Sequence, residues 1–480
     1  MNIWVRRSLA LVVAFSLSGC AIVSPQLKPD VSVAGSWNEP APADAAAVSP
    51  TWWTTFSSPE LESLIAEALA GSPDLAIATE RVKQAEAQVR VAGASLFPVL
   101  TADAGASGHR TTTMGATNAT VGSGNGAAVT VVDSAGNVGL TASYELDLWG
   151  KNRAGVRAAE SSAAAAGFDR DTAQVTLVSG VATSYFNVLA LRTRLAIARD
   201  NLATAQKVLD VVSARARNGA ASALDLSRQE GTVLSQQAAL VPLEQQEHQT
   251  LAALAILVGR TPEGFDVKAT GIGDLRVPSI DPGLPSTLLV RRPDLASAEA
   301  QLAAANADVA VARAALLPSI TLTGTFGLAT TALTSIATSG TTAAIGIAAS
   351  LLQPIFDGGK LRGQKAIAES RERELVETYR KAILSAFADV EEALAGTSRL
   401  GQQEQLQAGV QADAQESLRL ADIRYRAGAD DLLTVLDAQR TLFAAQDQLA
   451  QVELSRLQAA VSLYKALGGG WSAAAATPSA

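Results

Sequence analysis

The chain has 480 residues, of which 48% are apolar, 4% aromatic and 18% charged, with a formal net charge of −8. That length and apolar share exclude a disordered chain, and the acidic balance argues against a nucleic-acid partner. One Cys and two His leave almost nothing for a zinc site or a thiol–His pair, so no enzyme, catalytic residue, metal or bound cofactor is expected.

Arg6 and Arg7 precede an apolar run, Ser8 to Leu17, that is too short to span a bilayer. Leu17-Ser18-Gly19-Cys20 follows, a bulky residue and two small ones before the single Cys. This suits a lipoprotein signal peptidase, which cleaves before a Cys whose sulfur carries diacylglycerol. Residues 1–19 therefore read as a signal peptide and Cys20 as a lipidation site, its covalent lipid being the only non-protein group expected. Ala21 rather than Asp after the Cys favours the outer membrane. Residues 20–58, rich in Pro, Ala and Ser, read as a lipid-anchored extended tether with little structure of its own.

From there the chain repeats itself. Ser72-Pro73-Asp74-Leu75-Ala76 recurs as Arg292-Pro293-Asp294-Leu295-Ala296, and Leu96-Phe97-Pro98 as Leu316-Leu317-Pro318. Gly150-Lys151 recurs as Gly359-Lys360, and Asn218-Gly219 as Ala427-Gly428. The copies span 59–285 and 286–470, with a short tail at 471–480. They differ in length between Pro98 and Gly150, where Gly108 to Asn137 has the Thr-, Gly- and Asn-rich composition of a surface loop.

Each copy opens with a helix, Pro73 to Leu96 and Pro293 to Leu317, with Pro in the first turn. Period-two segments follow. In the first copy, Val138, Leu140, Ala142, Tyr144, Leu146 and Leu148 alternate with polar residues or Gly; in the second, Ile320, Leu322, Phe326 and Leu328 do the same. Pro98 to Ala106 and Ile345 to Leu351 are weaker versions. Two strands per copy are predicted, each about the nine to eleven residues that cross a bilayer when tilted. A half-buried sheet of a soluble protein would alternate in the same way.

Long helices come next. Asn152 to Ala216 has no Pro and forms one helix of about 100 Å at about 1.5 Å per residue. Val181, Val188, Leu195, Leu202 and Leu209 repeat every seven residues, with Leu177, Leu191, Ala198, Ala205 and Val212 beside them. Asn218-Gly219 ends this helix, and Ser222 caps a return helix running to about Val258. The second copy repeats the pattern over about Lys360 to Arg426 and Asp431 to Leu467, broken at Gly428. The second return helix has a seam two residues wide, with Val435-Leu436 and Leu442-Phe443 among its pairs. A helix in the wall of a hollow barrel needs two such packing partners.

Four strands cannot close a membrane barrel, and open edges are forbidden in lipid. The predicted fold class is thus a mixed α/β membrane protein, built as an oligomeric outer-membrane β-barrel with four strands per chain. A long periplasmic α-helical barrel continues it. A conduit of this kind needs no catalytic residues.

Leu288-Leu289-Val290-Arg291-Arg292-Pro293-Asp294-Leu295, the paired Leu-x-Pro turns, Tyr425-Arg426-Ala427-Gly428 and Leu433-Thr434-Val435-Leu436-Asp437-Ala438-Gln439-Arg440 resemble the TolC/OprM family. The likeness is to its lipoprotein branch, the outer-membrane factors of tripartite efflux systems, and covers about residues 50–470. It implies a homotrimer, a periplasmic adaptor (membrane fusion protein) and an inner-membrane pump, commonly of the resistance-nodulation-division class. It implies a periplasmic gate at Leu433, Asp437 and Arg440, with Leu433 an apolar ring and the other two a charged one. It also implies adaptor contact at the hairpin tips, Asn218, Gly219, Ala427 and Gly428. Taken alone, Asp437 and Arg440 read as an exposed i,i+3 ion pair. The expected function is an outer-membrane exit duct for drugs, metals or other small molecules. A duct for type I protein secretion and a structural periplasmic coiled-coil lipoprotein are the alternatives.

Overall fold

The computed structural model describes residues 27, 29–39, 46–113, 129–330 and 342–472. Cys20 and the signal peptide lie outside these residues. The chain divides into two compact units. The first takes in Ala85–Ala163 and Gln301–Leu375, and the second Lys28–Gln84, Ala164–Ala300 and Val376–Ala480.

The main helices are α1 (Pro59–Gly71), α2 (Pro73–Gly93), α3 (Lys151–Arg217), α4 (Ala223–Val258), α5 (Pro293–Ala314), α6 (Lys360–Arg426) and α7 (Leu432–Ala466). The strands are β1 (Val99–Thr113), β2 (Val129–Glu145), β3 (Ser319–Thr330) and β4 (Thr342–Leu352). In both copies a helix precedes two strands, which precede a long helical hairpin. The long helices α3 and α6 have 67 residues each. Their ends fall within a residue or two of those expected, because Gly and cap residues mark them.

In the first unit the strands form one antiparallel sheet in the order β1-β2-β3-β4. Its register separates two chemistries, since residues opposite one another share a face. Leu100 pairs with Ala142, Val138 with Leu328, Leu140 with Phe326, and Phe326 with Ile345. On the other face Thr101 pairs with Thr141, Asp103 with Gly139, Ser143 with Thr323, and Thr321 with Ser350. Ile345 and Ile347 are 80% and 90% exposed, so among the described residues nothing covers this end of the apolar face. One uncovered apolar face backed by a Thr/Ser/Asp face is the wall of a membrane barrel, lipid outside and water inside.

The strands differ from expectation in length. β1 and β2 have 15 and 17 residues. Gly108–Thr113 and Val129–Asn137, taken from composition as loop, are strand, with Thr113 opposite Val129. Ladder pairing comes from the backbone, and a barrel strand that faces water on both sides can carry loop-like side chains. His109 accordingly lies in β1.

The second unit is built on an aromatic cluster. Trp52 stacks on Tyr464 with ring centroids 4.8 Å apart, and Phe56 meets Phe186 at 4.9 Å. Val181, Tyr185, Val188 and Leu189 of α3 and Leu457, Val461 and Leu463 of α7 close around them. The expected heptad on α3 is buried where it faces this core, with Val181 and Val188 fully covered. An 18-residue window of α3 is apolar enough to cross a membrane, but 61% of it is buried here, as in a core helix.

The N-terminal segment has more structure than a tether. Trp52–Phe56 forms a 3-10 turn that places both aromatic rings inward. Trp37 donates its Nε1–H to the Gly283 carbonyl at 2.8 Å and packs on Phe387. Ala46 bridges to Ile280. Pro and Ala set the extended path, and the widely spaced Trp residues pin it.

Between α4 and α5 the chain is irregular and held by charge. Glu60 of α1 accepts from the backbone N–H groups of Lys268 and Ala269 at 2.5 and 3.0 Å, and from the Tyr185 hydroxyl at 3.1 Å. Burial pushes that phenol up to about 12, Glu60 adding to the shift and the Ser58 bond opposing it.

Candidate functional site at the helical hairpin tips

All the sequence-predicted site residues inside the described region fall at one end of the second unit. α3 and α6 both stop in a glycine turn of the same construction. Gly219 and Gly428 each have φ of +74°, a left-handed conformation that costs a residue with a Cβ about 1–2 kcal/mol. The N–H three residues past each helix bonds back to a carbonyl in its last turn, Ala220 to Arg215 at 2.8 Å and Ala429 to Arg424 at 2.9 Å. Asn218, Gly219, Ala427 and Gly428 are all exposed.

The return helices start on side-chain caps. Ser222 and Asp225 form a reciprocal capping box on α4. The Ser222 hydroxyl and N–H hold the Asp225 carboxyl below its usual range. Asp431 caps α7, accepting from the Thr434 N–H at 3.0 Å and the Thr434 hydroxyl at 2.9 Å. Asp430 is gripped by Arg424 through two bonds of 2.6 and 2.9 Å, and that guanidinium lowers the Asp430 pKa. The adjacent Asp pair therefore caps and ties a turn. Among the described residues no cluster of three His, Cys, Asp or Glu could hold a metal.

Near the tips a single arginine ties the first hairpin to the second. Arg215, at the end of α3, donates to the Tyr425 carbonyl of α6 at 2.6 Å and lies 4.6 Å from the centre of its ring. Burial raises the Tyr425 hydroxyl pKa, with nearby Arg215 opposing. Below this link Val208, Val212, Leu418, Tyr425, Val435 and Leu442 form a small second core. Neither Arg215 nor the link stood out in the sequence, because a contact between helix ends from different copies leaves no local spacing.

α7 turns two unlike faces outward and inward. Leu432, Val435, Gln439 and Leu442 are buried. Leu433, Asp437 and Arg440 fall at i, i+4 and i+7, one stripe on the opposite side. Leu433 is 57% exposed, and the Asp437 and Arg440 side chains are 65% and 82% exposed. Arg440 donates to Asp437 at 2.7 Å, the intrahelical pair expected from their spacing. Together with Arg228, Gly231 and Thr232 of α4 they line a shallow groove. Such a pair, open to water, adds well under 1 kcal/mol to stability.

The buried side of this turn carries an oddity. Gln439 is fully buried, yet neither its amide oxygen nor its nitrogen has a hydrogen-bond partner. Gln229 of α4 is equally buried but donates to the Ala205 carbonyl at 2.7 Å. A polar residue in a packed helical seam sets register at a cost in stability.

A profile of the outer membrane efflux protein family matches residues 64–260 and 284–469. The chain belongs to this family. It is 45% identical over 471 residues to the pyoverdine export outer membrane protein OpmQ of Pseudomonas aeruginosa, covering 97% of both chains. It is 34% identical over 479 residues to the solvent efflux pump outer membrane protein SrpC of Pseudomonas putida, covering 97% of this chain and 98% of that one. Among solved structures, the Neisseria gonorrhoeae MtrE outer membrane channel in its open state superposes with a TM-score of 0.81 at 31% identity, over 94% of this chain and 98% of that one. The outer-membrane channel OprN gives 0.82 at 27%, over 93% and 100%.

The protein is therefore an outer-membrane efflux channel chain, with the fold of the trimeric channels of this family. The twofold repeat, the four strands and the paired hairpins are the family's parts. The family is one of transport ducts. A purely structural coiled-coil lipoprotein would have no use for the sheet with its bare apolar face.

Proposed function

We propose that the channel is the exit duct of a siderophore-exporting tripartite pump, assembled as a homotrimer and anchored through lipid on Cys20. The observation that carries the cargo is the 45% identity, over 97% of both chains, to a pyoverdine export protein. A duct that passes a large hydrophilic product needs a polar lining, and the Thr/Ser/Asp face of the sheet is suited to it. Trimer assembly is supported by the outer edges of β1 and β4, which end a sheet of four strands with no fifth to pair with among the described residues. A periplasmic adaptor would engage the exposed tips around Asn218, Gly219, Ala427 and Gly428, and an inner-membrane pump, of the resistance-nodulation-division class, would supply the energy.

The cargo is tested by expressing the chain in a pyoverdine producer that lacks its own export outer-membrane proteins. Extracellular pyoverdine fluorescence should return. Restored resistance to solvents with no restored pyoverdine would sink the siderophore reading.

Leu433, Asp437 and Arg440 form the periplasmic gate in this proposal. Three copies of the stripe, brought around one axis, would place an apolar ring beside a charged one. The support is their exposure: a stripe that contributes almost nothing to its own chain's packing is available to face its symmetry mates. Asp437→Ala with Arg440→Ala should raise single-channel conductance several-fold in planar bilayers and leave the melting temperature within about 3 °C, since exposed pairs add little. Unchanged conductance would refute the gate assignment.

A further inference from the structure

Closing a barrel from three four-stranded sheets means joining β4 of one protomer to β1 of the next, head to tail around the axis. Closure alone does not say which residues meet. A slip of two residues keeps every side chain on its own face and would also close a ring.

The internal repeat supplies the register. Pro318 stands 220 residues after Pro98, and Gly359 stands 209 residues after Gly150. These spacings carry the pair Val99–Ser143 of the first hairpin onto Ser319–Leu352, and Thr101–Thr141 onto Thr321–Ser350. Both are observed pairs of the second hairpin. The repeat thus extends to the strand ladders, residue for residue. Between the hairpins β2 pairs with β3, and β2 stands to β3 as β4 stands to the partner's β1. Carried over, Gly139–Gly327 becomes Ala348 with the partner's Ser107, and Val138–Leu328 becomes Ile347 with the partner's Gly108. The faces agree. Ala348 and Ser107 both belong to the polar face. Ile347 belongs to the apolar one and meets a glycine with open space where a Cβ would stand.

The inner end of the seam has its own chemistry. Within the chain, the Leu146 N–H extends the β2–β3 ladder to the Ile320 carbonyl at 2.8 Å, and Trp149 donates its Nε1–H to the Pro318 carbonyl at 2.7 Å. The same spacings match Leu146 to Ile355, Ile320 to Leu100 and Trp149 to Gly358. Gly358 has no side chain to act as a staple. Instead the second copy carries Ile355 and Phe356, 93% and 92% exposed, and the edge they would reach carries Val99 and Leu100, 58% and 68% exposed. Bare apolar side chains therefore stand at the same end of both open edges. Pro354 does not obstruct the ladder, because neighbouring residues send their N–H groups to opposite sides of a strand.

We propose that the seam between protomers copies the β2–β3 junction, with Ala348 opposite the partner's Ser107 and the Ile355 N–H on the partner's Leu100 carbonyl. Ile355 and Phe356 form an apolar clasp on the partner's Val99 and Leu100, in place of the Trp149 staple. This rests on the homotrimer reading and assigns the residues of its contact.

Cysteine pairing in the full-length, membrane-inserted protein tests it. β1 and β4 of one chain lie three strand spacings apart, about 14 Å, so a disulfide between them joins two chains. Ala348→Cys with Ser107→Cys should give a covalent trimer on a non-reducing gel after boiling. It should form about tenfold faster than with Ser350→Cys and Ser107→Cys, or with Ser350→Cys and Asp103→Cys, which report slips of two residues in the two directions. Each single variant, with Cys20 as its only other cysteine, should stay unlinked. Ile355→Ser with Phe356→Ser should lower the temperature at which the unlinked oligomer dissociates by about 10 °C. Faster linking by a slipped pair, or no linking in an oligomer still present on a native gel, would overturn the register. Unchanged dissociation of the serine variant would overturn the clasp. A wild-type protein that forms no oligomer would defeat the homotrimer reading itself, and the seam with it.

Discussion

Gly468→Ala should destabilise the channel by more than about 3 kcal/mol and abolish assembly at the growth temperature. Gly468 has φ of +89° and follows the end of α7. Its N–H bonds the Lys465 carbonyl at 3.0 Å, and the next N–H, of Gly469, bonds the Tyr464 carbonyl at 2.8 Å. A Cβ at position 468 would lie 1.9 Å from the Arg291 carbonyl oxygen and 2.9 Å from its carbon. Both are backbone atoms, so no side-chain rotation can relieve the overlap. Gly469 and Gly470 repeat the constraint, with would-be Cβ atoms 2.9 Å from Val175 and 2.4 Å from the Ser49 carbonyl oxygen. The three glycines thread the chain between α3, the segment before α5 and the N-terminal strap. Trp471 then closes the clasp, donating to Asp171 at 2.9 Å and packing edge-on against Phe168. The measurement is the fraction of oligomer that survives heating, compared with Gly93→Ala. Gly93 has φ of −61° and no neighbour within 4 Å of a Cβ, so that control should behave as wild type. Equal behaviour of the two variants would show that the clasp is dispensable.

The second large effect is expected at Arg192. Its guanidinium, on α3, bonds Glu247 of α4 at 2.7 Å, the Val267 and Ala269 carbonyls at 2.5 and 2.8 Å, and Asp266. The Arg192 and Glu247 side chains are only 17% and 21% exposed, whereas Asp266 is 68% exposed and contributes less. Arg192→Ala leaves a mostly buried carboxylate and two carbonyls without their donor. The expected loss is about 3–5 kcal/mol, in line with breaking one side of a buried pair. Arg192→Lys keeps the charge but cannot span four acceptors, and should recover no more than about half. Chemical denaturation of the three proteins in one detergent checks the order. A lysine variant as stable as wild type would mean that charge alone holds the linker.

These two positions also show where the sequence stopped being legible. The helix boundaries were readable because their causes are local: a glycine at the left-handed position, a Ser or Asp cap, a heptad that faces a core. The tips Asn218, Gly219, Ala427 and Gly428 could be found for the same reason. The outer halves of β1 and β2 could not, since only the register with the partner strand distinguishes them from loop. Arg192, Arg215 and the Gly468–Trp471 clasp act on residues far away in sequence, and a single chain without spacing cues is silent on such pairs. Gln439 was hidden differently. In the sequence it stands inside the motif that resembles the gate, and its neighbours Asp437 and Arg440 are the charged residues there. The structure turns Gln439 inward and those two outward.

The stacking of Trp52 on Tyr464, with Thr55 within hydrogen-bonding reach of the same hydroxyl across 409 residues of chain, has a bearing on biogenesis. A chain made N-terminus first presents Trp52 and Phe56 long before Tyr464, their partner on α7, and Trp37 long before Phe387 of α6. Those rings must wait, solvent-exposed, through almost the whole of synthesis. Contacts of such separation form slowly and leave sticky intermediates. The N-terminal segment from Trp37 to Phe56 is thus the part of the chain whose apolar rings stay unburied for longest during synthesis.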